Sequence, residues 1–172
     1  MAEEAEKSTT MDPQNEAAQQ YLTFSLADEE YGVDILRVQE IRGWEQVTRI
    51  PNSPEYVKGV LNLRGAIVPI FDLRQRFEMA PQAYGKDTVL IVLRVTGKRS
   101  KTRNRGVVVD AVSDVLDSRA SEIRGTPDFG VGVATEYISG LASAGDKMIM
   151  LLDVDRLLNE DMHAPGEKDE AA

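Results

Sequence analysis

The chain contains no cysteine, which excludes disulfide bridges and thiolate metal sites and fits a reducing compartment. Its one histidine, His163, lies in an acidic stretch beyond the last strand pattern, which argues against a histidine-based triad or a histidine-rich metal site. There is no phosphate loop of the G-x-x-x-x-G-K type. Gly130-Val-Gly132 lacks the third glycine, and the flanking strand and helix, of a dinucleotide turn. No apolar run approaches the roughly 20 residues of a membrane helix, and the longest candidates, such as Thr88 to Val95, have strand length. The acidic N-terminal stretch has no apolar segment and does not read as a signal peptide. An enzyme built from this chain would have to work with carboxylates, lysines and hydroxyls alone. These absences imply no cofactor and no catalytic residue, and they lead us to expect a soluble cytoplasmic binding module.

The net charge of −9 belongs mostly to the ends. Residues 1–18 carry five acids and one base, and residues 159–172 again carry five and one. The 140 residues between hold 19 acids and 18 bases. Acidic, aromatic-poor ends of this kind read as disordered tails, here 1–18 and 161–172, around a domain at 19–160. A near-neutral body is a poor binder of a phosphate backbone, so no nucleic-acid partner is expected. Lys98, Arg99, Lys101, Arg103 and Arg105 fall within eight residues, with no aromatic between them. They sit between two strand patterns and read as a solvated hairpin loop rather than an anion site.

Strand signals dominate the body. Tyr21 to Leu26 and Tyr31 to Ile35 predict a hairpin around Asp28–Glu30, and a further strand is expected around Val47 to Ile50. Ser53 to Gly59 reads as a short helix, with Ser53 as cap, Pro54 in the first turn and Gly59 as the left-handed stop. Val60–Leu63 and Ala66–Phe71 predict a second hairpin, in which Pro69 suggests an edge or bulged strand. Asp72 is placed to cap a short helix, Leu73 to Phe77. Thr88 to Val95 is apolar almost throughout, which implies burial on both faces, and Arg105–Asp110 answers it across the basic loop.

The second half repeats the first. At an offset of 74, Gly32, Val33, Ile35, Val38, Glu40 and Ile41 fall on Gly106, Val107, Val109, Val112, Asp114 and Val115. At an offset of 81, Tyr56, Gly59, Asp72 and Leu73 fall on Tyr137, Gly140, Asp153 and Val154. Each copy has about five short strands with Gly/Pro punctuation, which indicates small closed barrels. The expectation is an all-β fold with a few short helices. It has two five-stranded barrels, approximately 19–86 and 87–158, with exchange of strands between them left open. A barrel of this size fills its interior with side chains, so function is expected outside, in the groove between the copies.

Two charges stand out. Glu40 lies in an apolar frame, and Arg64 precedes Gly65 in a turn. They read either as ordinary surface charges or as an ion pair on a binding face, where arginine can grip a carboxylate bidentately. The second copy has Asp114 for Glu40 but Gly145 for Arg64, so the pair is not duplicated. Asp153-Val-Asp155 reads as a helix cap rather than a cation site, by analogy with Asp72.

The segments EEYGVDILRVQEIRG (29–43), VTRIPNSPEYVKGVLNLRGAIVPIFDLRQRF (47–77), RGVVVDAVSDVLD (105–117) and TEYISGLASAGDKMIMLLDVDRLL (135–158) closely resemble the CheW family of chemotaxis coupling proteins. The resemblance covers roughly residues 19 to 160 and departs mainly in the basic loop and the tails. It implies two SH3-like five-stranded β-barrels, and an adaptor that links methyl-accepting chemotaxis receptors to the histidine kinase CheA. Such an adaptor is cytoplasmic, sits in arrays with other CheW copies and is recruited to the inner membrane through the receptors. Carried over by motif, Val38, Glu40, Gly59, Arg64, Val112 and Val115 would face the receptor tip, in a helix-in-groove mode. Ile35, Arg124 and Phe129 would face the kinase, with Phe129 readable equally as a core residue. Two alternatives stand beside this reading, a coupler for a non-flagellar chemosensory pathway and a small-barrel nucleic-acid binder.

Overall fold

The computed structural model describes residues 17–97, 101–119, 122–125 and 135–158. Among them are ten strands, which fall into two matching runs of five. The first run is β1 (Gln19–Leu26), β2 (Glu29–Asp34), β3 (Val38–Gly43), β4 (Val57–Leu63) and β5 (Ala66–Asp72), followed by helix α1 (Leu73–Arg76). The second is β6 (Val89–Thr96), β7 (Thr102–Val109), β8 (Ala111–Ser118), β9 (Ile138–Ala144) and β10 (Lys147–Leu152), followed by α2 (Val154–Leu157). Asp72 and Asp153 cap the two helices in the same way, accepting from the amides of Gln75 and Arg156.

Each sheet draws on both repeats. One runs β8-β1-β2-β10-β9 and the other β3-β6-β7-β5-β4. The third strand of each copy therefore leaves its own hairpin and pairs with the first strand of the other copy, β3 with β6 and β8 with β1. Each sheet also contains one parallel pair, β2 with β10 and β7 with β5. In each of these pairs the backbones meet at a glycine, Gly32 against Leu151 and Gly106 against Ile70. A Cβ built on Gly106 would lie 2.4 Å from the Ile70 side chain, and one on Gly32 would lie 3.0 Å from Leu151.

The alternation along β6 explains its continuous apolar run. Leu90 and Val92 point into the β3–β7 barrel, where they meet Leu61, Val68, Ile70 and Val108. Ile91, Leu93 and Val95 point the other way, into a central core with Phe24, Phe71, Val107 and Leu152. That core lies between the two sheets and takes buried residues from both. The other barrel holds a smaller cluster of Tyr21, Ala142, Ile149 and Leu151. Each side chain fully buried in this way stabilises the fold by about 1.5–3 kcal/mol before chain entropy is counted.

Both sheets close by one extra bridge. Thr48 exchanges backbone hydrogen bonds of 3.0 and 2.8 Å with Val60, and Arg124 does the same with Leu141 at 2.9 and 2.8 Å. The strand expected at Val47–Ile50 is thus reduced to that single bridge. The helix expected at Ser53–Gly59 is absent, because Val57–Gly59 already belongs to β4. Ser53 donates its hydroxyl to the Ile50 carbonyl instead of capping. Gly59 does have positive φ, +144°, but inside the strand, where a Cβ would lie 2.1 Å from the Thr48 carbonyl oxygen. Pro69 is not on an edge strand, since β5 pairs on both sides. Its neighbour Val60 spends both backbone groups on Thr48, so Pro69 lies in a non-hydrogen-bonded position toward β4. Toward β7 the pairing starts one residue later, at Ile70, so the missing N–H costs no ladder bond.

Candidate partner-binding face

A bulge decides what β3 and β8 present. Val38 pairs with Leu93 and Glu40 with Val92, which leaves Gln39 extra. Residues directly opposite each other share a face, so Val38 and Ile41 lie with Leu93 and Ile91 on the side of the central core. Glu40 and Arg42 lie on the other face. Without the bulge Val38 and Glu40 would point the same way. On β8 the same device recurs. Val112 pairs with Phe24 and Asp114 with Thr23, which leaves Ser113 extra.

Val38 and Val112 pack, half-buried, against the central core. Ile41 and Val115 lie farther along the same two faces and are exposed to 44% and 43%. The exposed residues are repeat partners at the offset of 74, so the core has one apolar margin on each of two equivalent strands. Ile35 also packs against this core from the 3-10 turn Ile35–Arg37, while its neighbour Leu36 is 81% exposed. Nothing in the sequence marks out Leu36 or Ile41 as surface residues. Alternation alone would have called Ile41 a core residue, and only its exposure marks it out.

Glu40 and Arg64 are brought together, but loosely. One Arg64 nitrogen lies 3.9 Å from a Glu40 oxygen, and Arg42 approaches the same oxygen to 3.7 Å while holding Glu45 at 2.8 Å. The bidentate grip expected for Glu40 and Arg64 is not formed, because the Arg64 side chain reaches into solvent and is 88% exposed. Arg64 and Gly65 form the two-residue turn between β4 and β5 with φ of +54° and +87°, and the Asn62 side chain accepts from the Gly65 amide at 2.9 Å. Positive φ at both positions is the hairpin pattern that ordinarily selects Asn-Gly. In the other repeat the position of Arg64 is taken by Gly145, φ +61°. An arginine there costs roughly 1 kcal/mol of backbone strain.

Gly59 is buried behind this hairpin at the barrel closure. Its partner Gly140 sits at the other closure, where a Cβ would lie 2.5 Å from the Ile123 side chain. Gly59 is thus accounted for by close approach of backbone, and Gly140 by the Ile123 side chain together with the Arg124 carbonyl oxygen at 3.1 Å. The Arg124 side chain is exposed while its backbone makes the closing bridge. Phe129, Gly130, Gly132 and His163 lie outside the described residues.

The bidentate pairs lie elsewhere. Arg74 holds Asp110, and Arg37 holds Asp155. Burial pushes the Asp110 carboxyl up, but the Arg74 hydrogen bonds, the Ala27 amide and the Arg74 charge outweigh it and hold it below the ordinary carboxylate range. Between the two repeats, the Arg76 guanidinium lies over the rings of Tyr56 and Tyr137, 5.4 and 5.0 Å from their centres, and donates to the Tyr137 hydroxyl. Burial lifts the Tyr137 phenol above its usual range against the opposing pull of Arg76. Among the described residues no group of three His, Asp or Glu side chains could hold a metal ion, and no helix is long and apolar enough to cross a membrane.

The whole arrangement matches known proteins. The CheW-like domain family matches residues 20–162. The chain belongs to the CheW-like family. Within it, this CheW-like chain is 52% identical over 143 residues to the chemotaxis protein CheW of Klebsiella aerogenes, covering 83% of each chain. It is 37% identical over 151 residues to the chemotaxis protein CheW of Rhizobium meliloti, covering 88% of this chain and 90% of that one. The crystal structure of the scaffolding protein TtCheW from Thermoanaerobacter tengcongensis superposes with a TM-score of 0.75 at 31% identity, covering 86% of this chain and 92% of that one. The two-subdomain, mostly β architecture expected from the sequence is the one found.

Proposed function

We propose that this CheW-like chain is a non-enzymatic scaffold that couples methyl-accepting chemotaxis receptors to the histidine kinase CheA in a cytoplasmic array held at the inner membrane by the receptors. The observation that carries the reading is Arg64. A non-glycine residue at φ +54° whose side chain is 88% exposed and approaches Glu40 no closer than 3.9 Å adds strain with little packing to offset it, and such strain persists where a side chain is needed for a partner. Its repeat equivalent, which has no such duty, is glycine. In this reading the helical tip of a receptor lies between the two apolar margins, with Val38, Val112 and Val115 as anchors and Glu40 and Arg64 as orienting charges. Gly59 contributes by allowing the closure that places the Arg64 hairpin. Ile35, with Leu36 beside it, serves the kinase, as do Arg124 and Phe129. The names of the relatives, chemotaxis proteins and a scaffolding protein, agree with this role.

Co-sedimentation with receptor-containing membranes, with and without the kinase, tests it. The chain is expected in the pellet in both cases and enriched when the kinase is present. A chain that stays in the supernatant throughout would sink the proposal.

A further inference from the structure

The apolar part of the candidate face is nearly symmetric. Val38 and Ile41 on β3 answer Val112 and Val115 on β8 at one offset, beside the same bulge. A helical hairpin is itself close to two-fold, so apolar contacts alone would accept it in two orientations related by a half turn. The charges break that symmetry; Glu40, Arg42 and Asp114 leave β3 and β8 on the faces opposite those apolar residues and so flank the same two outer strands. On the β3 side Glu40 has two arginine neighbours, Arg42 at 3.7 Å and Arg64 at 3.9 Å. Their repeat equivalents are Leu116 and Gly145. On β8, Asp114 and Asp117 are exposed, and neither meets a cation among the described residues.

The asymmetry extends to the barrels themselves. Residues 17–34, 111–119, 122–125 and 135–158, which build the β1-β2-β8-β9-β10 barrel, carry eleven acids and four bases. Residues 35–97 and 101–110, which build the other, carry seven acids and twelve bases. A body that is near neutral in sum is therefore strongly polar in space.

We infer that the opposite charge of these two walls selects one of the two orientations in which a helical hairpin can dock, with the carboxylate-bearing helix over β3 and the cation-bearing helix over β8. This rests on the docking reading above and adds the charge pattern the partner must have. The reversed orientation sets like charges against each other on both walls, and such juxtaposition is a recognised route to specificity. Each exposed charge pair is worth up to roughly fivefold in an equilibrium, so several pairs acting together make the preference measurable.

The missing cysteine makes the test clean, because any cysteine introduced is unique. Gln39→Cys and Ser113→Cys place thiols at the two equivalent, exposed bulge positions. The probe is a receptor cytoplasmic hairpin fragment carrying one cysteine on one helix. Disulfide yield is expected to differ between the two variants by roughly tenfold at low salt, and the difference should shrink by about 0.5 M NaCl. Adding Arg64→Glu and Asp114→Lys should move the cross-link toward the other wall; the salt series on the unaltered walls keeps the test decisive if that variant folds poorly. Equal yields at both walls, or a preference indifferent to salt, would overturn the inference while leaving docking intact. Absence of cross-links at both walls together with absence from the membrane pellet would remove the docking reading and this inference with it.

Discussion

Arg74 on α1 holds Asp110 at the corner between β7 and β8 through two hydrogen bonds of 2.7 Å, and the other repeat makes the same join with the charges exchanged. There Arg37, at the corner between β2 and β3, holds Asp155 on α2 at 3.0 and 2.7 Å. At an offset of 81 Arg74 and Asp155 are equivalent positions. Both corners are where the chain crosses from one sheet to the other, so each ion pair fastens a crossover to the helix beneath it. The two joins thus have opposite charge order, and their corner residues, Asp110 and Arg37, stand one position out of register at the offset of 74.

The Asp110 join gives a pH dependence. A carboxyl held below its ordinary range contributes stability that is fully present above about pH 3.9 and is lost as pH falls through the depressed value. Asp110→Asn should therefore cost about 1–3 kcal/mol at pH 6, with the gap to the parent narrowing as the pH is lowered toward 3. Urea unfolding at several pH values measures this. A gap that stays constant with pH would mean that the charge on Asp110 does not matter.

Arg64→Gly should separate stability from binding. Glycine relieves the strain at φ +54°, although it also loosens the unfolded chain, and the net gain should be about 0.5 kcal/mol. Capture by receptor-containing membranes should fall at the same time. A lowered melting temperature would show that Arg64 supports the fold, and full capture would show that its side chain is dispensable.

Gly59→Ala should behave in the opposite way. The added Cβ meets the Thr48 carbonyl, so closure of the β3–β7 barrel must give, at a cost of about 3 kcal/mol or more. Any loss of partner binding should track unfolding and be recovered at lower temperature. Gly140→Ala should destabilise less, since the nearest backbone atom, the Arg124 carbonyl oxygen, lies at 3.1 Å rather than the 2.1 Å that Thr48 leaves at Gly59, and Gly59 alone of the two has a left-handed φ. Thermal melts of the two variants decide the ranking.

Arg76 between Tyr56 and Tyr137 ties the two repeats together. Removing one ring should cost about 1 kcal/mol through the lost cation–π contact. Because both rings share one guanidinium, the double-mutant cycle of Tyr56→Leu and Tyr137→Leu should be non-additive, while the same cycle in an Arg76→Met background should be additive. Additivity in both backgrounds would show that the rings act independently.

Much of the fold was legible because β structure has a short period. The hairpins, the capping aspartates and the apolar run of β6 follow from alternation and from turn residues, and the repeat follows from matching them at 74 and 81. The failures fall where backbone meets backbone. Ser53 to Gly59 carries every local sign of a helix, yet β5 and Thr48 claim its end as strand, because long-range hydrogen bonds outweigh local propensity. Pro69 is tolerated inside the sheet because its missing donor falls in a non-hydrogen-bonded position toward β4 and just before the β7 ladder begins.

By itself, the sequence determined that there would be two equivalent units, that no thiol or phosphate-loop chemistry would be available, and that Glu40 and Arg64 would differ from their repeat partners. Tertiary structure alone decided which strands pair, because an alternating pattern says that a strand has a buried face but not whose edge it joins. It also decided, through one extra residue at Gln39 and at Ser113, that Val38 and Glu40 face apart. And by trading β3–β5 for β8–β10 it sorted a near-neutral body into an acidic barrel and a basic one, since charge sums along a sequence carry no position until the chain is folded.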